Sequence, residues 1–256
     1  MSDKIYEEKE IGDLCKLMHE LMELREHGFW SFRGQRNEKY PLGLHHLPDD
    51  ERLLPIYLNQ FKKRCIEFPK PDYIDEFDSW RWLFFAQHHR LKTRLLDWTS
   101  NPMVAIYFAV ENIISKHANN ENVFGAVWAL KVNNENFKSP DDDLGTPDSL
   151  KRWQMINPPP VTPRIVRQSG KFSYHPKNDD KLLSEHPMRK GEALKKFIIK
   201  CPDSGRNPSK TLLEQLGIMN IHHASLFPGP EGVANFINNE WPIIALDREM
   251  FPDQTI

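Results

Sequence analysis

The chain has 256 residues, with 34 Lys and Arg against 36 Asp and Glu for a formal charge of -2 and a pI near 6.6. A chain of this size buries roughly 70–75% of its unfolded surface and folds without staples, and its charge balance excludes a dedicated nucleic-acid coat while leaving room for a local basic patch. Three cysteines (Cys15, Cys65, Cys201) lie far apart with no CxxC pair, which excludes a disulfide framework; with an acidic opening and no run of about 18 apolar residues, the pattern predicts a cytoplasmic protein that does not span a membrane.

Residues 8–27 read as an amphipathic helix, with Ile11, Leu14, Cys15, Met18, Leu21 and Met22 at helical spacing and Gly28 placed to end it. Residues 29–35 alternate as a strand should, with Trp30 and Phe32 on one face and Ser31 and Arg33 on the other. A second helix is predicted over 51–68, carrying Leu54, Tyr57, Leu58, Phe61 and Cys65 on its apolar stripe, with Pro55 tolerated in its first turn. A third starts after Asp78 or Ser79 and turns Trp80, Leu83 and Phe84 to the core. Asn101-Pro102 is a helix start, Asn as cap and Pro at the first position, for a helix to about His117 that is apolar on most sides. Residues 123–132 form a strand buried on both faces, and 133–163 form an ordered excursion with an acidic loop (Asp141 to Asp143) and the run Pro158 to Pro160. Strands are predicted at 164–168 and 171–175, joined through Ser169-Gly170, and again at 193–200. Asn207-Pro208 opens a helix closed by Gly217, and a short helix around 231–238 follows. The sum is an α+β single domain, a central mixed or antiparallel sheet flanked by helices.

Three segments carry chemistry. In Arg33-Gly34 a guanidinium fork suited to phosphate or carboxylate sits beside a residue that lets a ligand approach the backbone; a structural salt bridge is the plainer alternative. Leu95-Leu96-Asp97-Trp98-Thr99 places a carboxylate and a hydroxyl among apolar residues before a capped helix. A buried Asp97 needs a partner, with nearby amides, Arg94 and Arg33 as candidates; the plainer alternative is that Asp97 and Thr99 only organise that helix start. Arg164 to Phe172 is the third, a strand ending in Gln168-Ser169-Gly170 that presents an amide and a turn to a ligand, or else a hairpin with solvated arginines. The pairs His45-His46, His88-His89 and His222-His223 point their members apart and match no metal-ligand spacing, so no metal is expected. No P-loop, GxSxG or GxGxxG motif occurs, and Cys65 reads as core.

Together these segments resemble the FRG domain, a bacterial and phage family named for its Phe-Arg-Gly motif. Phe32-Arg33-Gly34-Gln35 matches that motif, and Trp82 to Gln87-His88-His89, then Thr93 to Thr99, Asn101-Pro102 and Ala105-x-Tyr107-Phe108-Ala109, resembles the family's central signature. Gln168-Ser169-Gly170-x-Phe172 and Leu226-Phe227-Pro228 resemble its C-terminal pieces, and Arg90 stands where the family more often has Gly. The resemblance covers roughly residues 29–236, and the domain reading is an N-terminal helix at 1–28, an FRG-like domain at 29–240 with a loop excursion at 133–163, and a C-terminal tail at 241–256 packed on it. A weaker similarity is to ADP-ribosyltransferases, in which an Arg-Gly strand holds NAD, a hydroxyl braces the site and a later Glu stabilises the ribosyl cation. That similarity implies Arg33, Asp97, Thr99 and Gln168 as catalytic residues and Gly34, Gln35, Gln87, His88, Arg94 and Phe172 as ligand contacts. Gln168 stands near where the Glu is expected and carries no charge; Glu192 and Asp97 are the substitutes in view. The implied function is NAD-dependent ADP-ribosyl transfer or NAD cleavage, with NAD as substrate, a protein or nucleic-acid acceptor, and a toxin or phage-conflict setting. The alternative is a non-catalytic module that binds a nucleotide or a nucleic-acid end.

Overall fold

The computed structural model describes residues 6–44, 47–68, 74, 78–111, 124–139, 142, 145–177, 194–200 and 208–244, with 136 and 208–211 described in backbone only. Glu192, His45-His46, Cys201, most of the acidic loop and the tail beyond Ile244 lie outside the described residues. In chain order the elements are β1 (Glu7–Ile11), α1 (Leu14–Glu26), β2 (Trp30–Gln35), α2 (Leu53–Arg64), α3 (Ser79–His88), β3 (Leu95–Thr99), α4 (Pro102–Val110), β4 (Gly125–Lys131), β5 (Phe137–Lys138), β6 (Gln154–Ile156), α5 (Pro163–Arg167), β7 (Gly170–Tyr174), β8 (Leu194–Ile199), α6 (Pro208–Ile218), α7 (His223–Leu226), α8 (Pro230–Asn239) and α9 (Trp241–Ile244). This is an α+β fold around one mixed, mostly antiparallel sheet of eight strands in the order β1-β8-β4-β2-β3-β7-β6-β5. No helix among the described residues is long and apolar enough to cross a membrane.

The helix predicted over 8–27 is two elements. Residues 7–11 form an edge strand parallel to β8, because their carboxylates meet a row of lysines there: Glu7 with Lys195, Glu8 with Lys196 and Glu10 with Lys200. Helix α1 then starts after Asp13, whose side chain accepts from the Lys16 amide at 2.8 Å. Its buried stripe is Leu14, Leu17 and Leu21, one step round from the expected one, and Cys15 and Met22 face solvent.

The second departure bears directly on function. Residues 163–167 are helix α5, not a strand. Thr162 caps it, its Oγ1 accepting from the Ile165 amide at 3.3 Å, and Pro163 occupies the first helical position, the same Asn/Thr-Pro start that opens α4. Ser169, at φ +49°, ends the turn and hands the chain to β7. The excursion at 133–163 is also less irregular than expected, since it adds β5 and β6 to the sheet beyond β7.

Helix α4 is the centre of the core. Val104, Ala105, Ile106, Tyr107, Ala109 and Val110 are all buried, as its all-round apolar sequence predicts. It lies unusually close to the sheet because two strand positions beneath it have no side chain. A Cβ on Gly34 would stand 2.1 Å from the Ala105 carbonyl oxygen, and one on Gly125 2.2 Å from that of Ala109. Gly34 therefore admits a helix, where the sequence suggested a ligand.

Candidate functional site

The sheet is continuous by pairing but nearly parts in the middle. Strand β2 pairs with β4 along its whole length, yet with β3 at Phe32↔Thr99 alone among the described residues. Beyond that point β2 and β3 diverge, and a cleft of about 690 Å³ opens between them. Arg33 spans the gap: its Nη1 donates to the Asp97 carbonyl oxygen at 2.7 Å. The Asp97 carboxylate is farther, at 4.0 Å, and its side chain is 61% exposed. The expectation of a buried Asp97 is thus corrected, because in β3 the residue points into the open cleft while Leu96 and Trp98 fill the core behind it.

Arg33 is otherwise unused. Its buried Nε has no hydrogen-bond partner among the described residues. A buried donor without a partner costs roughly 1–3 kcal/mol, so this atom waits for an acceptor. Burial pushes the guanidinium pKa down and Asp97 pulls it back up. Asp97 is oriented from the other side: Gln87 Nε2 lies 3.3 Å from each carboxylate oxygen, and Gln87 Oε1 accepts from Thr93 Oγ1 at 2.6 Å.

Of the residues picked from sequence, the cleft gathers Arg33, Gly34, Gln35, Gln87, His88, Asp97, Thr99, Gln168 and Phe172. Several are braces there. Thr99 Oγ1 donates to the Gln168 carbonyl at 2.7 Å and accepts from the Asn101 amide at 2.9 Å, tying the end of β3 to the end of α5. Gln168 Nε2 donates to the Leu226 carbonyl at 3.2 Å. Gln35 accepts from Trp128 Nε1 at 2.5 Å and donates to the Pro41 carbonyl at 3.2 Å, fixing the chain that leaves β2. Phe172 stacks on Phe84 at 5.2 Å and belongs to the core. His88 Nδ1 lies 3.2 Å from Thr162 Oγ1. Burial, helped by His89 and Arg164, pushes its pKa down to about 4, so it is neutral at pH 7.

Arg94 is not in the cleft. It is buried on the opposite side, where it donates to the His175 carbonyl at 3.0 Å and pairs with Glu51. One residue before β3, its side chain takes the direction opposite to Leu95, and Glu51 ahead of α2 meets it there.

Sequence reasoning missed two groups. Arg164 reaches the cleft only because 163–167 is helical, and its guanidinium lies over the Phe227 ring at 4.3 Å, a cation–π seat that gives Leu226-Phe227 a place in the site. Glu111, the residue after α4, lines the cleft as a partly buried carboxyl; its position two residues after the Ala-x-Tyr-Phe-Ala run was the available signal. The lining thus holds Arg33, Arg36, Arg90, Lys92 and Arg164 against Asp97 and Glu111, a cationic concentration in a chain of charge -2.

Arg90 occupies this rim with φ +65°, a left-handed conformation that costs a non-glycine residue roughly 1–2 kcal/mol. Arg90→Gly is expected to keep or raise the melting temperature, by no more than the equivalent of about 1 kcal/mol after the entropy of the unfolded glycine is counted, while weakening binding of phosphate-bearing ligands. A fall of several degrees in a thermal melt would show instead that this side chain supports the fold.

Residues 29–118 match the family model of the FRG domain, roughly a third of the chain running from the start of β2 past α4. No curated protein matches the chain, and no solved structure does. The matched stretch contains Arg33, Gly34, Gln87, His88, Asp97, Thr99 and Glu111, so all of one wall of the cleft and the helix seated on Gly34 fall within it; this chain carries an FRG domain.

Proposed function

We propose that the cleft binds a phosphate-bearing nucleotide, with NAD as the substrate class, and that the protein breaks the bond between ribose and nicotinamide, passing the ADP-ribosyl group to water or to a macromolecular acceptor. The observation that carries this reading is Arg33, whose buried Nε lacks a partner among the described residues, at the parting of β2 and β3 with four further cations around it. A pyrophosphate is the complement of such a rim, since guanidinium–phosphate hydrogen bonds are charge-assisted and forked. Loss of nicotinamide leaves a ribosyl cation, which needs fixed negative charge and positioning more than covalent help. Asp97, held by Gln87 and exposed to the cleft, supplies charge of that kind.

One observation favours the binding-only reading: the side chains of Thr99 and Gln168, both expected to be catalytic, are committed to the carbonyls of Gln168 and Leu226. The experiment that separates the two is a melting scan with NAD, ADP-ribose, ADP and inorganic phosphate, followed by chromatography for free nicotinamide. A ligand at 100 times its dissociation constant adds about 2.7 kcal/mol, worth roughly 5–10 °C for a chain of this size. A shift with NAD and release of nicotinamide is the expected result. A shift without release leaves a binding module, and no shift with any of the four sinks the nucleotide reading.

A further inference from the structure

We infer that Glu111 is the carboxylate that accepts the acceptor's proton in the cleft, sharing its own proton with Tyr107 and Glu240; this rests on the NAD-cleavage reading above and names the base within it. The geometry comes first. Glu111 directly follows α4, its amide bonded to the Tyr107 carbonyl at 2.8 Å, and the glycine seat under α4 brings this end of the helix down to the cationic rim. Behind it the Tyr107 hydroxyl, in a fully buried side chain, donates to Glu240 Oε1 at 2.6 Å, lies 3.0 Å from His223 Nδ1 and is also hydrogen-bonded to Glu111. One phenolic hydrogen cannot serve two carboxylates, so a further proton resides on one of them.

The groups facing Glu111 are Tyr107 from its own helix, Glu240 from the end of α8, Arg164 from α5 and Arg36 beyond β2, with His223 of α7 behind Glu240. Burial and Glu240 push the Glu111 pKa up to about 7, against the pull of Tyr107, Arg164 and Arg36. A base performs best when its pKa lies near the working pH. In the step itself, the bond from the anomeric carbon to the pyridinium nitrogen breaks, and its electron pair stays on nitrogen and neutralises it. A lone pair on the acceptor oxygen, from water or a hydroxyl, forms the new bond to carbon. The proton of that oxygen passes to Glu111 and from there to solvent.

The test measures nicotinamide release from NAD and, separately, the NAD-induced melting shift, for wild type and Glu111→Gln across pH. The variant is expected to keep the shift, to lose about 100-fold or more in release, and to lack the rise in rate near pH 7. A readout independent of turnover accompanies it. A carboxyl whose pKa is raised by folding stabilises most below its unfolded value and loses that contribution as pH rises through the folded one, so the wild-type melting temperature should fall relative to Glu111→Gln between about pH 4.5 and 7. If the folded variant releases nicotinamide within roughly threefold of wild type, the Glu111 assignment fails while the NAD reading stands. If wild type neither shifts nor releases, both fail. Should Glu111→Gln not fold, Glu111→Asp decides: the acid set back by one methylene must keep the shift and lose at least about tenfold in release, and a wild-type rate overturns the assignment.

Discussion

Gly34→Ala is expected to lower the stability of this protein by on the order of 3 kcal/mol, a drop of roughly 6–12 °C in melting temperature. The added methyl would stand 2.1 Å from the Ala105 carbonyl oxygen, 2.7 Å from the Ala109 nitrogen and 2.8 Å from the Phe108 Cβ. Two of these are backbone and the third is held by the same helix, so no change of rotamer relieves the clash. Either α4 lifts from the sheet or β2 bends away from it. Lifting α4 would open the packing of Phe32, Ala105 and Ala109, all fully buried, and would draw Glu111 away from the rim. Circular dichroism melts of wild type and variant check the prediction. An unchanged transition would mean that α4 is not seated on Gly34 at all, and the placement of Glu111 at the rim by that seat would fall with it.

The Gly34 seat also shows where sequence reasoning reached its limit. Phe32-Arg33-Gly34 was legible as a strand with a candidate ligand-binding guanidinium and a position requiring no side chain, but what comes close to that glycine depends on a helix some 70 residues later. Local signals with a short-range cause were read correctly: the start of α3 at Asp78-Ser79, the Asn101 cap, Pro102 at the first helical position, and the buried run of α4. Signals whose meaning depends on a distant partner were misread. Glu7 to Ile11 carries a helical pattern, and it is strand because Lys195, Lys196 and Lys200 lie opposite. Arg164 to Gln168 alternates like a strand, and the Thr162-Pro163 start overrides it. The same division runs through the site. Arg33 and Asp97 were visible by residue type, whereas Arg164 depended on that misread helix and Glu111 on the exit of α4. Arg94, expected as a ligand contact, is turned by the strand alternation to Glu51 on the other side.

Arg33 itself provides the second large effect, and the two roles of its side chain can be separated. One donor, Nη1, holds the Asp97 carbonyl across the gap between β2 and β3; the buried Nε has no hydrogen-bond partner among the described residues. Arg33→Ala removes both roles and leaves a backbone carbonyl without its donor, at a cost to stability of about 1–3 kcal/mol. Arg33→Lys separates them. An ammonium can keep one bond to the Asp97 carbonyl, but a point charge cannot also present the second arm of a fork. The lysine variant should therefore melt within a few degrees of wild type while its affinity for NAD or ADP-ribose falls roughly 10–100-fold, the loss of a charge-assisted hydrogen bond worth about 1.5–3 kcal/mol. Isothermal titration on the folded variant measures this directly. Unchanged affinity would reduce Arg33 to a clasp between two strands and move the phosphate site to Arg36, Arg90 and Arg164, whereas lost affinity with an intact fold means that this guanidinium binds the ligand as well as bridging the gap.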